Sequence, residues 1–284
     1  MYTVLQAVYI FGAGHVGRDF LPRIKQKFSV IAFLDNDKSK WGSSIDGIPV
    51  CAPESVLEID GADFDLIIVA SLAGINDIKN QLSELGVDSS KISTEYVDYP
   101  VKSRNVFLLN LSRLFQAQGV SGCVAECGVF LGEFAKEINT VFPDKKFYLF
   151  DTFSGFDARD VQMEKKMHYS NLDAGHFNIT NEEIVRSKLP HPEMAIIRKG
   201  YFPETIEGID EEFCFVNLDF DLYMPTLAGL EYFSARMVKG GVILVHDYFA
   251  AGFKGIKAAV ADFAAKSGAQ YLPIGDGLSV AIQF

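Results

Sequence analysis

Short, nearly unbroken apolar runs recur along the chain, and many of them stop on a glycine or an acid. Ala7 to Phe11 runs into Gly12, Ser29 to Leu34 into Asp35, and Phe147 to Phe150 into Asp151. Leu66 to Ala70, Gly122 to Glu126, Met194 to Arg198, Phe213 to Leu218 and Val242 to Val245 have the same character. Apolar runs without polar alternation suit strands covered on both faces. The intervening stretches, such as the one through Ile24 and that from Ile75 to Leu85, have helical periodicity and supply the covers. The expected fold class is therefore α/β, with two Rossmann-like doubly wound domains. The pattern breaks between Glu95 and Arg104, where Tyr99-Pro100 interrupts it and a helix restarts near Val106. The predicted domains are 1–99 and 100–284. Tyr271 to Ile274 and Leu278 to Phe284 read as a closing antiparallel pair. The polar, turn-rich stretch from Phe156 to Ser187 is too long for an ordinary connection and reads as an insertion or lid.

Composition narrows the partners. The 284 residues are 49% hydrophobic and 22% charged, with a formal charge of −11. An acidic chain without a basic run is a poor ligand for nucleic acid, and the same charge disfavours anionic membranes. No apolar stretch is long enough to span a bilayer and no leader is evident, so the expected location is cytoplasmic. Cys51, Cys123, Cys127 and Cys214 lack the spacing of a structural zinc site and read as reduced, mostly buried thiols.

Gly12-x-Gly14-x-x-Gly17 follows a strand and opens a helix, the context a dinucleotide fingerprint requires. The first glycine permits a tight turn, the second lets a pyrophosphate approach, and the third lets helix and strand pack closely. Asp35 ends the next strand, where a ribose-binding acid belongs. Over residues 7 to 95, "YIFGAGHVGRDFL", "VIAFLDNDKSKWGSSIDGIPV" and "DLIIVAS" resemble the N-terminal domains of sialic-acid-type O-acetyltransferases and polysaccharide-biosynthesis epimerases. That resemblance implies a bound NAD or nucleotide-sugar; a purely structural or oligomerising role is the alternative. No tyrosine–lysine pair suited to hydride chemistry accompanies the motif, which argues against an oxidoreductase.

The second half carries more chemistry. Glu126 tips a strand and is followed by Gly128 and Gly132, so that a ligand can approach the backbone while the carboxylate holds its cationic amino group. Asp151, at the end of the next strand, can take both hydroxyls of a ribose. Asp219 and Asp221 leave the end of a third strand together, and His246-Asp247 ends a fourth. Three carboxylates and an imidazole on one rim suit a hard divalent cation with positions open to substrate oxygens. Such a cation would lower the pKa of a sugar hydroxyl, and a nearby carboxylate could remove its proton.

From about Val106 onward, "AECGVFLGEFA", "FYLFDTFSGF", "RKGYFPET", "VNLDFDLYMPT", "GGVILVHDYF" and "LPIGDGLSV" occur in the order found in the macrocin O-methyltransferases, which methylate sugar hydroxyls on antibiotics. The resemblance implies a class I methyltransferase fold, S-adenosylmethionine as donor and dependence on magnesium. It implies that Asp219 and Asp247 are metal ligands and Asp221 the general base. The family's last strand commonly ends in two aspartates, and His246 stands where the first would be. Imidazole prefers a softer metal, such as manganese or zinc; alternatively His246 is itself the base. The expected function is metal-assisted O-methylation of a sugar or glycoconjugate in glycan or natural-product biosynthesis, by a homo-oligomer. The alternative is an NAD- or nucleotide-sugar-binding protein with a non-catalytic methyltransferase-like domain.

Overall fold

The computed structural model describes residues 5–58, 64–71 and 74–284. The chain forms two compact units, Met1–Lys102 and Ser103–Phe284. In the first unit the strands are β1 (Gln6–Phe11), β2 (Phe28–Leu34), β3 (Ser44–Ile45), β4 (Ile48–Cys51), β5 (Leu66–Val69) and β6 (Ile92–Ser93). They pair in the order β3-β4-β2-β1-β5-β6, all parallel except the β3–β4 pair. Helices α1 (His15–Lys25), α2 (Ser55–Glu58) and α3 (Ile75–Glu84) connect them. Successive strand residues point to opposite faces. Val8, Ile10 and Phe33 enter one core, whereas Tyr9, Phe11 and Leu34 enter another. Both faces are buried, hence the lack of polar alternation in the sequence.

Because β1 pairs with both β2 and β5, the strand order reverses at its C-terminal end, where the glycine turn begins. Gly12 has φ +118°, and a Cβ there would lie 2.6 Å from the Ala70 carbonyl oxygen. A Cβ at Gly17 would lie 2.0 Å from the Gly12 oxygen, whereas one at Gly14 would meet nothing within 4 Å. Close backbone approach therefore dictates the first and third glycines, and the second faces open space.

The break expected between Glu95 and Arg104 is instead one helix, α4 (Glu95–Gln118), with Pro100 inside it. Proline removes a single rung, the N–H that would reach Tyr96. The helix start is held by Thr94, whose carbonyl accepts the Val97 and Asp98 N–H groups and whose hydroxyl donates to Asp98 (2.9 Å). Further along, Leu108, Leu111 and Phe115 anchor the helix in the core of the second unit.

The second unit contains β7 (Cys123–Cys127), α5 (Glu133–Val141), β8 (Phe147–Asp151), α6 (Ala158–Met167), α7 (Glu182–Lys188), β9 (Ala195–Lys199) and β10 (Phe213–Leu218). These are followed by α8 (Tyr223–Ser234), β11 (Met237–Val245), α9 (Lys254–Ser267), β12 (Tyr271–Pro273) and β13 (Val280–Gln283). The sheet order is β12-β13-β11-β10-β7-β8-β9. From β9 to β11 the strands are parallel; β13 lies antiparallel to β12, as the sequence predicts, and also to β11. Strand β11 begins five residues earlier than its apolar run suggests, because Gly240 and Gly241 within it hide the start. The order reverses between β7 and β10, and a crevice for ligands belongs at their C-terminal ends.

The stretch read as a lid holds α6 and α7. Helix α6 is fastened by two buried acids one turn apart. Asp160 accepts from the Tyr201 hydroxyl (2.9 Å) and Glu164 from the Tyr223 N–H (2.8 Å) at the start of α8. Burial pushes the Asp160 carboxyl up to about 6, against the opposing pull of the Tyr201 hydroxyl. Among the described residues no helix is long and apolar enough to cross a membrane. Cys123, Cys127 and Cys214 are buried, Cys51 is half-buried, and all four are free thiols.

Candidate active site

Two turns of the same design lie at the ends of β1 and β7. The Asp35 carboxylate accepts the Ala13 N–H (2.8 Å) within the first glycine turn, 22 residues before it. It also accepts the Asp37 N–H (2.8 Å) and pairs with Lys40 (3.0 Å). Asp151 does the same for the second turn: its Oδ2 accepts the N–H groups of Val129 (2.7 Å) and Phe130 (2.9 Å), and its Oδ1 that of Phe153 (2.7 Å). A carboxylate offers about four accepting directions. One direction remains open on Asp151 Oδ1, so the acid can shape the turn and still accept a further donor.

Within the second turn, Gly128 has φ +82° and a Cβ there would fall 2.0 Å from the Asp219 carbonyl oxygen. Glycine thus lets the end of β7 touch the end of β10, where the Asp219 N–H donates to the Cys127 carbonyl (2.8 Å). Gly132, at φ +77°, precedes α5 and would crowd Val185 of α7 if it carried a Cβ. The Thr180 hydroxyl, from the same lid stretch, donates to the Phe130 carbonyl.

Glu126 is 2% exposed. Its Oε1 accepts from Asn217 Nδ2 (3.3 Å), the residue opposite it in register on β10, and its Oε2 has no partner. Burial first, then the negative charge of Asp219, holds this carboxyl well above the usual range despite nearby Arg104. A buried acid in that condition is poised to ionise when a cation arrives.

Asp219, His246 and Asp247 converge, with ligand atoms of all three within 4.8 Å of one another. His246 Nδ1 is 3.0 Å from Asp219 Oδ1 and 3.2 Å from Asp247 Oδ1. Burial acts to lower the imidazole pKa, but the two carboxylates overcome it and push it up to about 10. Asp221 is hydrogen-bonded to Asp247, and burial followed by the charges of Asp247 and Asp219 drives its pKa well up. Burial opposes ionisation of Asp247 too, yet the His246 charge together with hydrogen bonds from His246 and Asp221 and the nearby Arg104 holds this carboxyl low. Asp221 and Asp247 both take left-handed backbone (φ +64° and +56°), which turns each out of its strand end. Asp is among the residues that tolerate this conformation best. Two carboxylates and an imidazole at this spacing fit a six-coordinate divalent cation.

The structure adds one charged residue that sequence reasoning missed. Arg104, on α4, lies 4.2 Å above the Phe134 ring and brings Nη1 to 3.5 Å from Asp219 Oδ2. No motif surrounds it, and only its position two turns before Leu111 on a core-facing helix hints at burial. The glycine turn of the first unit, with Gly12, Gly14, Gly17 and Asp35, belongs to a separate compact unit from the acids of the second.

A seven-stranded sheet with one antiparallel strand beside the edge, and acids at the ends of its central parallel strands, defines a class I S-adenosylmethionine-dependent methyltransferase. Residues 81–274, more than half the chain, match the model of the family described as Macrocin-O-methyltransferase (TylF), and the chain belongs to that family. It is an S-adenosylmethionine-dependent O-methyltransferase. Residues 4–93 match a second model, described as C2185-like, N-terminal. Among solved structures, the O-methyltransferase NovP is similar at 21% identity and a TM-score of 0.52, over 64% of this chain and 79% of that one. The calicheamicin methyltransferase CalS11 is similar at 18% identity and a TM-score of 0.50, over 75% and 87% of the two chains. These likenesses bear on the fold. No curated protein sequence matches the chain.

Proposed function

We propose that the chain methylates a hydroxyl of a sugar or glycoconjugate in glycan or natural-product biosynthesis, with a divalent cation, magnesium or manganese, at Asp219, His246 and Asp247. The observation that carries this reading is the convergence of those three side chains beside Asp221, at the strand ends where Glu126 also lies. The sugar acceptor is supported by the matching family's namesake reaction on macrocin and by the calicheamicin methyltransferase among similar folds.

In this reading Glu126 holds the donor's ammonium group, Asp151 its ribose, and Gly128 and Gly132 let it approach the backbone. The donor supplies an electrophilic methyl group whose sulfur leaves as a neutral thioether. The cation, when bound, supplies positive charge that lowers the pKa of the acceptor hydroxyl. Asp221 takes the hydroxyl proton, and the oxygen forms its new bond to carbon in line with the departing sulfur. His246 serves as a metal ligand through Nδ1, where it faces both carboxylates. A nitrogen that holds a metal has no lone pair left to take the hydroxyl proton, so base duty falls to Asp221.

For the first unit, Gly12, Gly14, Gly17 and Asp35 support binding of a nucleotide-sugar or NAD, with the ligand over the open side of Gly14. We further propose a cytoplasmic homo-oligomer that binds neither nucleic acid nor membrane, in keeping with the charge of −11. A non-catalytic second half is disfavoured, since every acid the chemistry needs is present.

The experiment compares Asp219→Ala with Asp221→Asn. Electron paramagnetic resonance with Mn2+ should show binding lost in the first variant and kept in the second. Methyl transfer to a panel of nucleotide-sugars, read by mass, should be lost in both. Wild-type Mn2+ affinity in Asp219→Ala would remove the metal assignment, and undiminished transfer by Asp221→Asn would remove it as the base.

A further inference from the structure

Buried polar side-chain atoms are almost always paired. Around the ends of β7 and β10, apart from His246 Nδ1 in the carboxylate cluster, three are not: Arg104 Nη1, Glu126 Oε2 and Asn217 Oδ1. One is a donor on a permanent cation and two are acceptors. Arg104 is 13% exposed at its side chain, and its guanidinium carbon lies 4.2 Å from the centre of the Phe134 ring. Its approach to Asp219 supplies opposite charge at 3.5 Å but no hydrogen bond to Nη1.

The unmet needs are complementary. Glu126 Oε2 and Asn217 Oδ1 ask for a multivalent donor carrying positive charge, such as an ammonium group. Arg104 asks for an anion with two coplanar oxygens, because its N–H groups form a fork that matches a carboxylate. A single small ligand group that offers both within a few ångströms is the head of an α-amino acid. A phosphate would satisfy Arg104 and repel Glu126; a simple amine would do the reverse.

We infer that Arg104 binds the carboxylate at the methionine end of S-adenosylmethionine, opposite the ammonium group held by Glu126 and Asn217. This rests on the donor site proposed above and deepens it by completing the recognition of the amino-acid head. The competing role is that of a counter-ion for Asp219 alone. That role makes no reference to the donor's carboxylate, so removing the carboxylate from the ligand distinguishes the two.

The test is calorimetric titration of the full-length chain with S-adenosylmethionine and with its decarboxylated analogue. Wild type, Arg104→Met and Arg104→Lys are compared. A charge-assisted hydrogen-bonded pair accounts for about a ten- to hundredfold difference in affinity. Arg104→Met should therefore lose about that much for S-adenosylmethionine and stay within about twofold of wild type for the analogue. Arg104→Lys keeps the charge beside Asp219 but not the fork. It should show a smaller loss, again confined to the carboxylate-bearing ligand, and it serves if the methionine variant fails to fold. Equal losses for both ligands, or no loss for either, would overturn the assignment. If wild type binds neither ligand, the donor site itself fails, and the Arg104 assignment with it.

Discussion

Replacing Gly128 with alanine separates the two jobs of the β7 turn, folding and positioning, and its cost can be worked from the geometry. A left-handed φ of +82° costs a residue with a Cβ about 1–2 kcal/mol. The new Cβ would also lie 2.0 Å from the Asp219 oxygen and 2.7 Å from its carbonyl carbon. Relief requires the end of β10 to move by about 1 Å, and overpacking of this kind adds about 1–3 kcal/mol. The sum is a loss of about 2–5 kcal/mol, large against the stability of an ordinary domain. The same displacement carries Asp219 and Asp221 out of register with their partners. A 1 Å misplacement of reacting groups costs about a hundredfold in rate. Urea unfolding followed by circular dichroism reads the first effect, and methyl transfer under saturating donor reads the second. A Gly128→Ala protein with wild-type unfolding free energy and wild-type turnover would refute the close approach on which both numbers depend.

Other substitutions probe different parts of the account. Asp160 has a folded pKa of about 6 against an ordinary value of 3.8, so the fold binds its proton more tightly than the unfolded chain does. Its contribution to stability is therefore present below pH 3.8 and lost as the pH rises through about 6, a change of at most about 3 kcal/mol. Asp160→Asn keeps an acceptor for the Tyr201 hydroxyl and removes the ionisation. It should be more stable than wild type by about 1–3 kcal/mol at pH 8 and equal to it near pH 4 in urea melts; a variant less stable at both would contradict this. In the first unit, Gly14→Ala should shift stability by no more than about 0.5 kcal/mol, because nothing opposes its Cβ. If a nucleotide sits there, the same change should abolish any rise in Tm produced by NAD or UDP-glucose. A rise that survives in Gly14→Ala would remove the glycine from the binding surface.

Much of the second unit was legible in its sequence because strand ends are chemically marked. Apolar runs stop near where the chain leaves the sheet, and the acids sit at or within three residues of the strand ends. That is why Glu126, Asp151, Asp219, Asp221 and Asp247 could be picked out by position, and why the closing antiparallel pair was found. What escaped is equally physical. Pro100 reads as a break, yet a helix survives the loss of one rung when its later turns are buried. Asp160 and Glu164 read as part of a polar lid, since a carboxylate's burial depends on partners distant in sequence, Tyr201 and Tyr223. Arg104 carries no motif, because its meaning comes from Phe134 and Asp219, on other elements. The twin roles of Asp35 and Asp151 in bracing their own glycine turns also needed coordinates: the sequence shows an acid of the right spacing, not the N–H groups it accepts.

The central claim is a donor site built on Glu126 and Asp151 at the reversal of the second sheet. Calorimetric titration of wild type, Glu126→Ala and Asp151→Ala with S-adenosylhomocysteine tests it most directly. The account predicts one site per wild-type chain and affinities at least about tenfold weaker in each variant. Wild-type affinity in both variants, or no binding by the folded wild-type protein with or without Mn2+, would contradict it.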